Sequence, residues 1–474
     1  MSITQEKFQT EPPASEFVDR RGFLRLGGAT AITVGAVSLG LTPTASAATP
    51  VATATRAAVA TGWPAVEAMF MLDPKVLFMN IGTVGSPPRE VVDLVDAKHR
   101  EIARGAIAGY SDFLDVRRVA AAGYGCDPDE LVISHNTSDG MSKILAGLDL
   151  SEGDEILTTN HEHPGGLVPM ALARDRHGVV IRKVDLPVGN DQRAEDYVAL
   201  FEKAITARTK IMLFSAPTYK SGTMLPIKLL ANLAQSHGLT TVVDGAHVPG
   251  MMAYNFHELG VDFLAGSAAK WQCAPGGTGV LYIRNKVLSE HNPNPLPRFW
   301  PVVSSSYPEM GGVPPRSTGP KETYDIAKYL QSVGNGSLAI MTGVKRSCEI
   351  WDEIGRKQIE TYILGLSAQL KAAIADRWGV KSLYSPKDDP RLVSALTSFN
   401  PFQDPADVYN KPKSDAFVVR LKDEHSIVVR NIDPPIAGQT ARPYPLRIST
   451  HLFHQSDDVT RLVDAMWQVS RTMN

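Results

Sequence analysis

A lysine and an aspartate, twenty-six residues apart, carry the chemistry most visible in this chain. Asp244 ends the β-branched run "TTVVD", and Lys270 follows the run "DFLAGS", between two alanines and a tryptophan in "GSAAKWQCAPGGTG". Taken singly, each has an ordinary explanation. Most lysines lie on solvated surface with their stems along apolar neighbours, and an acid after a strand can cap a helix or bind a metal. Taken together at successive strand ends, they suit pyridoxal phosphate. Its aldehyde needs an amine for a Schiff base, and its ring nitrogen needs a carboxylate that keeps it protonated as an electron sink.

Two further turns add groups that such a cofactor could use. "SHNTSDGMSKIL" places Thr137 and Ser138 at the first turn of a helix after the strand "LVIS", where backbone N–H groups and hydroxyls can hold phosphate. "NHEHPGG" offers His161 and His163 after "EILTT". An imidazole there can stack on a pyridine ring, titrate, or bind metal.

These turns need a scaffold that brings strand ends together. From Leu131 onward, short apolar runs alternate with helical stretches at 137–148, 164–177, 193–206 and 226–237. That alternation predicts βαβ units and an α/β fold with a mostly parallel sheet covered on both faces. Ligands of such sheets gather at the carboxyl ends of the strands. The last third changes character. One long helical stretch around Val344 to Trp378, strands at "FVVRL", "IVVR" and "LRIST", and a helix from about Ser456 predict a smaller α+β domain.

The expected organisation is a signal at 1–47, a linker and N-terminal segment at 48–75, a large domain at 76–325 and a small domain at 326–474. Within "DRRGFLRLGGATAITVGAVSLGLTPTASA" stand Arg20 and Arg21, an apolar run from Leu26 to about Leu41 and the small-residue end Ala45-Ser46-Ala47. The run is shorter than the roughly 20 apolar residues of a spanning helix, and reads as an export signal. Its R-R-x-F-L pattern resembles the twin-arginine signal, which implies the twin-arginine export machinery as a partner and a periplasmic or otherwise exported location.

Composition narrows the partners. Forty-eight basic and 50 acidic residues leave a formal charge of -2, and no dense basic block points to nucleic acid; a small molecule is the expected partner. The three cysteines, Cys126, Cys273 and Cys348, have no paired metal spacing, so no metal site is expected.

Asp244-Gly-Ala-His followed by Lys270-Trp-Gln-Cys-Ala-Pro-Gly-Gly-Thr-Gly resembles the class V aminotransferase family, most of all its isopenicillin N epimerase-like branch. The similarity spans roughly 76–470, with "FMNIGTVGSPPREV", "EHPG" and "LRISTHLFHQSDDV" matching the family's substrate loop, ring-stacking segment and arginine segment. The resemblance implies fold type I, with a seven-stranded type of sheet and a small α+β domain. It makes Lys270 the Schiff-base lysine and Asp244 the partner of the ring nitrogen. His163 would stack on the ring, Thr137, Ser138 and Ser267 would hold phosphate, Arg447 would receive the substrate carboxylate, and Asn80 would line the entrance. A homodimer is implied, with "SVGNGS" (332–337) reaching the neighbour's phosphate.

Four departures mark this sequence off from relatives of the desulfurase type. Ala269 replaces a common histidine, His247 stands where glutamine is common near the cofactor's phenolic oxygen, and Tyr219 replaces a common asparagine. No cysteine lies between Arg430 and Arg447, where desulfurases carry their persulfide-forming thiol. The expected activity is transamination or a related α-carbon reaction on an amino-acid-type substrate. Epimerisation and C–S or C–N lysis are the alternatives, and a non-catalytic cofactor-binding protein is the reading outside enzymes. The branch also includes periplasmic enzymes that modify the acyl side chain of the siderophore pyoverdine, which implies a secreted metabolite as the setting.

Overall fold

The computed structural model describes residues 63–285, 290–302 and 326–473, all within one compact unit. The expected signal and most of the linker lie outside these residues, and the expected boundary at 325/326 adjoins a stretch, 303–325, that does too.

Twelve strands are present among the described residues: β1 (Leu77–Phe78), β2 (Leu131–Ser134), β3 (Glu155–Thr159), β4 (Val180–Val184), β5 (Thr209–Ser215), β6 (Thr240–Gly245), β7 (Phe263–Ser267), β8 (Gly279–Ile283), β9 (Leu396–Phe399), β10 (Ile427–Val428), β11 (Arg430–Asn431) and β12 (Leu446–Ser449). Seven form the main sheet in the order β2-β8-β7-β6-β5-β3-β4. Only β8 runs against its neighbours, so the other six end at one edge.

The run character of these strands explains their burial. Side chains alternate between faces with period two, and both faces are covered: Val243, Phe214 and Leu264 belong to one core, Val242, Leu213 and Phe263 to another. Strands buried on both sides are continuous apolar runs, which leaves polar residues for the strand ends. The helices Thr137–Gly147 and Pro164–His177 start directly after β2 and β3.

A three-stranded antiparallel sheet, β11-β12-β9, lies over a third apolar cluster with the C-terminal helix Ser456–Thr472. β1 pairs in parallel with β10, so the segment before residue 80 joins the C-terminal elements.

The structure corrects two expectations here. "FVVRL", expected as a strand, lies within the helix Lys411–His425. The Asn410 side chain accepts from the Lys413 N–H at 3.1 Å, Pro412 sits in the first turn, and Ser414, Phe417 and Leu421 form one buried stripe, so capping and helical spacing outweigh the β-branched pair. The long helical stretch is two helices, Leu338–Ile354 and Arg356–Trp378, separated at Gly355, whose φ of 99° lies outside the helical region.

Candidate active site

Five strand ends supply most of the site. Lys270, Thr137, Ser138, His163, Asp244, His247, Ser267 and Arg447 all line one cavity of about 490 Å³. Asn80 stands beside it, accepting from Arg447 Nη2 at 3.3 Å. The structure thus brings together the side chains that the resemblance assigns to cofactor or substrate, and leaves His161 outside the cavity.

Glycines permit two of the close approaches. The loop after Asn80 folds onto the Lys270 turn through a 2.8 Å bond from Gly85 N–H to the Ala269 carbonyl, and a Cβ on Gly85 would lie 2.0 Å from the Lys270 carbonyl oxygen. The starts of the two helices converge so tightly that a Cβ on Gly165 would lie 2.4 Å from Ser138 Oγ.

Charge in the cavity is set by burial. Desolvation lowers Lys270 to about 8, a shift moderated by the Asp244 carboxylate and reinforced by Arg447 and Arg430. Asp244, buried at the end of β6, is pushed up by desolvation, while the Ala246 N–H, 3.1 Å from Oδ1, and Lys270 pull the other way. Behind it Glu162 accepts from Thr159 Oγ1, Ser215 Oγ and Ser215 N–H, and burial raises it to about 7.

Both cavity histidines are neutral at pH 7. Desolvation, followed by Lys270 and the nearby arginines, lowers His163 to about 4; its Nδ1 accepts from Gly165 N–H at 3.0 Å, capping the helix, and its ring stands edge-on to Tyr219 with centroids 5.0 Å apart. His247 is lowered by burial, with Lys270 and Arg447 adding to the effect. Trp271 Nε1–H donates to its Nδ1 at 3.0 Å, which leaves the proton on Nε2. The other histidine of the motif, His161, is buried against the Pro435 carbonyl at 3.0 Å and does not line the cavity.

Arg447 is 2% exposed. Nη1 donates to the Tyr219 carbonyl at 2.9 Å, and Nη2 reaches Asn80 Oδ1 and Thr83 Oγ1 at 3.3 Å each. Burial and the neighbouring Arg430 weaken its hold on the proton, yet a guanidinium stays charged at neutral pH.

Three buried polar atoms of the cavity residues have no partner among the described residues: Asp244 Oδ2, Thr137 Oγ1 and Arg447 Nε. A carboxylate oxygen, a hydroxyl and a guanidinium N–H left unmatched in one cavity are costly unless ligands complete them. They match, in turn, a protonated ring nitrogen, a phosphate and a substrate carboxylate, so the residues present fit pyridoxal phosphate with an amino-acid-type substrate. The fold, with its aspartate at the end of one strand and its lysine in the turn after the neighbouring strand, defines a fold type I pyridoxal-phosphate enzyme.

Comparison with known proteins gives the family. The aminotransferase class-V model matches residues 93–462, and the chain belongs to that family. Isopenicillin N epimerase of Amycolatopsis lactamdurans is 28% identical over 429 residues, covering 87% of this chain and 100% of that one; a probable cysteine desulfurase of Pseudomonas putida is 27% identical over 382 residues, covering 77% and 84%. Among solved structures, the complex of a cystine C–S lyase with cysteine persulfide superposes with a TM-score of 0.67 at 21% identity, covering 83% of this chain and 98% of the other. A cysteine desulfurase from Escherichia coli gives 0.67 at 21% identity, covering 87% and 99%. This chain is accordingly a class V enzyme whose cofactor is pyridoxal 5'-phosphate.

Several cavity residues were not singled out from sequence. Gly82, Thr83, Asn136 and Arg430 also line the wall. Asn136 was legible as a helix cap, since its side chain accepts from Asp139 N–H at 2.9 Å; the other three carried no local signal.

Proposed function

We propose that this enzyme acts at the α-carbon of an amino group that lies beside a carboxylate, and that its reaction is transamination. The observation that carries the reading is the meeting of Lys270, the unmatched Asp244 Oδ2 and the unmatched Arg447 Nε in one cavity. When bound, pyridoxal phosphate supplies an electron sink for the pair left by a bond broken at the substrate α-carbon. Asp244 would hold the ring nitrogen, Thr137, Ser138 and Ser267 the phosphate, and His163 one face of the ring. Neutral His247 offers its Nε2–H as a donor, in the polar role that glutamine has in many relatives.

Arg447 orients the substrate. With Nη1 committed to the Tyr219 carbonyl, its Nε edge remains for a carboxylate, and a planar guanidinium fixes that group in direction as well as place. Lys270 then handles the proton. An amine lowered to about 8 is neutral often enough at neutral pH to accept a proton from the α-carbon. Where that proton is returned separates transamination from epimerisation.

Epimerisation is the second reading, favoured by the two isopenicillin N epimerases that are 28% identical over nearly their whole lengths. Desulfuration fits less well. Cys273, the cysteine nearest Lys270 in the chain, is buried, and burial pushes its thiol up and away from the thiolate.

The proposed setting is export by the twin-arginine route and action on the amino-acid moiety of a secreted metabolite such as a pyoverdine siderophore, supported by Arg20-Arg21 and the Ala45-Ser46-Ala47 end. A homodimer is proposed as well. Tyr110, Ile107 and Val333 are exposed apolar side chains on two segments tied together by the Tyr110–Asn335 bridge and the Gly336-to-Gly109 backbone bond.

The deciding experiment incubates holoenzyme with amino donors in the absence of an acceptor. A transaminase stops after releasing about one keto product per site, because without an acceptor the amino group cannot be passed on. Continued consumption of donor, or exchange of the α-hydrogen with inversion, replaces this reading with lysis or epimerisation.

A further inference from the structure

Two guanidiniums face the cavity, and the reading above uses one. Arg430 on β11 is directly opposite Arg447 on β12 in an antiparallel pair, and both line the cavity. Opposite residues of such a pair leave the same face of the sheet with Cβ atoms about 5 Å apart, and like charges there are destabilising.

No carboxylate among the described residues offsets the pair. Arg430 Nε donates to the Asn431 carbonyl at 3.2 Å, and the partners of Arg447 are a carbonyl, an amide oxygen and a hydroxyl. Asp433, two residues beyond β11, is held by Lys220 Nζ at 2.9 Å and Arg442 Nη1 at 3.1 Å. Asp244, the acid that lines the cavity, is matched to the ring nitrogen and Lys270 to the cofactor aldehyde. One α-carboxylate brings one negative charge and engages one guanidinium side-on. The cofactor phosphate is matched to Thr137, Ser138 and Ser267, so the second positive fork at this wall, Arg430, leaves a place for a second anion on the substrate.

We infer that Arg430 is a specificity-determining residue that selects substrates bearing a second carboxylate in addition to the one bound at Arg447, so that acidic amino acids or moieties are preferred over their neutral isosteres. This rests on the α-carbon reading of the site. The buried Arg447 takes the carboxylate beside the amino group, and the exposed Arg430 takes the side-chain carboxylate at the rim.

The test titrates holoenzyme with both enantiomers of aspartate, glutamate and 2-aminoadipate, and with asparagine, glutamine and norvaline, following the cofactor absorbance. Acidic amino acids are expected to bind about tenfold or more tightly than neutral isosteres, the size of one charge-assisted contact. Arg430→Gln is expected to bring that ratio near one, and Arg430→Lys to restore part of it. A second readout needs no turnover: glutarate should raise the melting temperature more than butyrate, and Arg430→Gln should remove the difference. Equal binding of acidic and neutral amino acids by the unsubstituted enzyme overturns the inference while the α-carbon reading stands. So does an Arg430→Gln enzyme that loses affinity for both classes alike, or for cofactor on reconstitution. Absence of any absorbance change with every amino acid sinks the inference together with the reading beneath it.

Discussion

Lys270 and Lys371 make an instructive pair, because burial lowers both amines and only one stands at the chemistry. Lys270 is half-buried, exposed through the cavity, and lowered to about 8. Lys371, inside the helix Arg356–Trp378, is 2% exposed and lowered further, to about 7, by desolvation alone. A perturbed amine by itself therefore does not mark a site. The surroundings decide. Lys270 shares its cavity with Asp244, Arg447 and a hydroxyl-bearing helix start, whereas Lys371 donates to the Ser394 carbonyl at 3.4 Å and adjoins a smaller cavity of about 370 Å³ lined by Leu364, Ala368, Ala372 and Val393 among others.

The largest expected difference is in activity. Lys270→Ala should cost roughly a thousandfold or more in turnover, since both the covalent hold on the cofactor and the proton carrier are lost. Lys371→Ala should change turnover per folded molecule by less than about threefold, because the residue is not among the described residues that line the active-site cavity. Borohydride reduction followed by peptide mapping should place the pyridoxyl group on Lys270. A label on Lys371 would reverse the comparison.

A smaller but more diagnostic difference lies in pH. Only the neutral amine attacks an aldehyde, and at Lys270 the neutral fraction rises about tenfold per pH unit up to roughly pH 8 and levels above it. The rate at which apoprotein captures pyridoxal phosphate should follow that curve. An amine with an ordinary pKa would instead give a rate still climbing at pH 9.5, and that result would mean the cavity does not desolvate Lys270 as described.

Much of this site was legible because doubly covered strands leave few places for polar residues. "TTVVD" could be buried only with its acid at the end, and Asp244 lies buried as the next-to-last residue of β6. The helix at 164–177 was legible at both ends, from Pro164 in its first turn and Gly178 at a φ of 69° after its last. Arg430 was not legible. A lone arginine after "IVV" reads as a solvent-facing strand end, and only the register between β11 and β12 sets it opposite Arg447. Glu162 was hidden for a different reason: its neighbours His161 and His163 invited a reading of the imidazoles, while its own role depends on β5, more than fifty residues later, which brings Ser215 to it. Local spacing records strand ends well and long-range register poorly.

The smallest expected effect concerns stability, and it separates the two lysines by sign. An ordinary lysine in the unfolded chain titrates at 10.5, and Lys371 in the folded chain at about 7, so between these values the unfolded state binds more protons and stability rises with pH. Below pH 7 both states are protonated, and the full penalty of burying the charge is present. Above 10.5 both are neutral and the penalty is gone. Lys371→Met keeps an unbranched side chain of similar length without the charge, so it should stabilise the protein by on the order of 2 kcal/mol at pH 6.5 and by far less near pH 10. Urea unfolding of the two proteins at both pH values measures this directly. A gain of equal size at both pH values would show that packing rather than charge changed, and a loss at pH 6.5 would show that the Ser394 carbonyl and its surroundings hold the ammonium well. Lys270→Met also removes a lowered amine, but it leaves the positive pull on Asp244 missing and the apoprotein cavity more acidic, so its gain should be smaller than that at Lys371 even though its amine is the one on which activity depends.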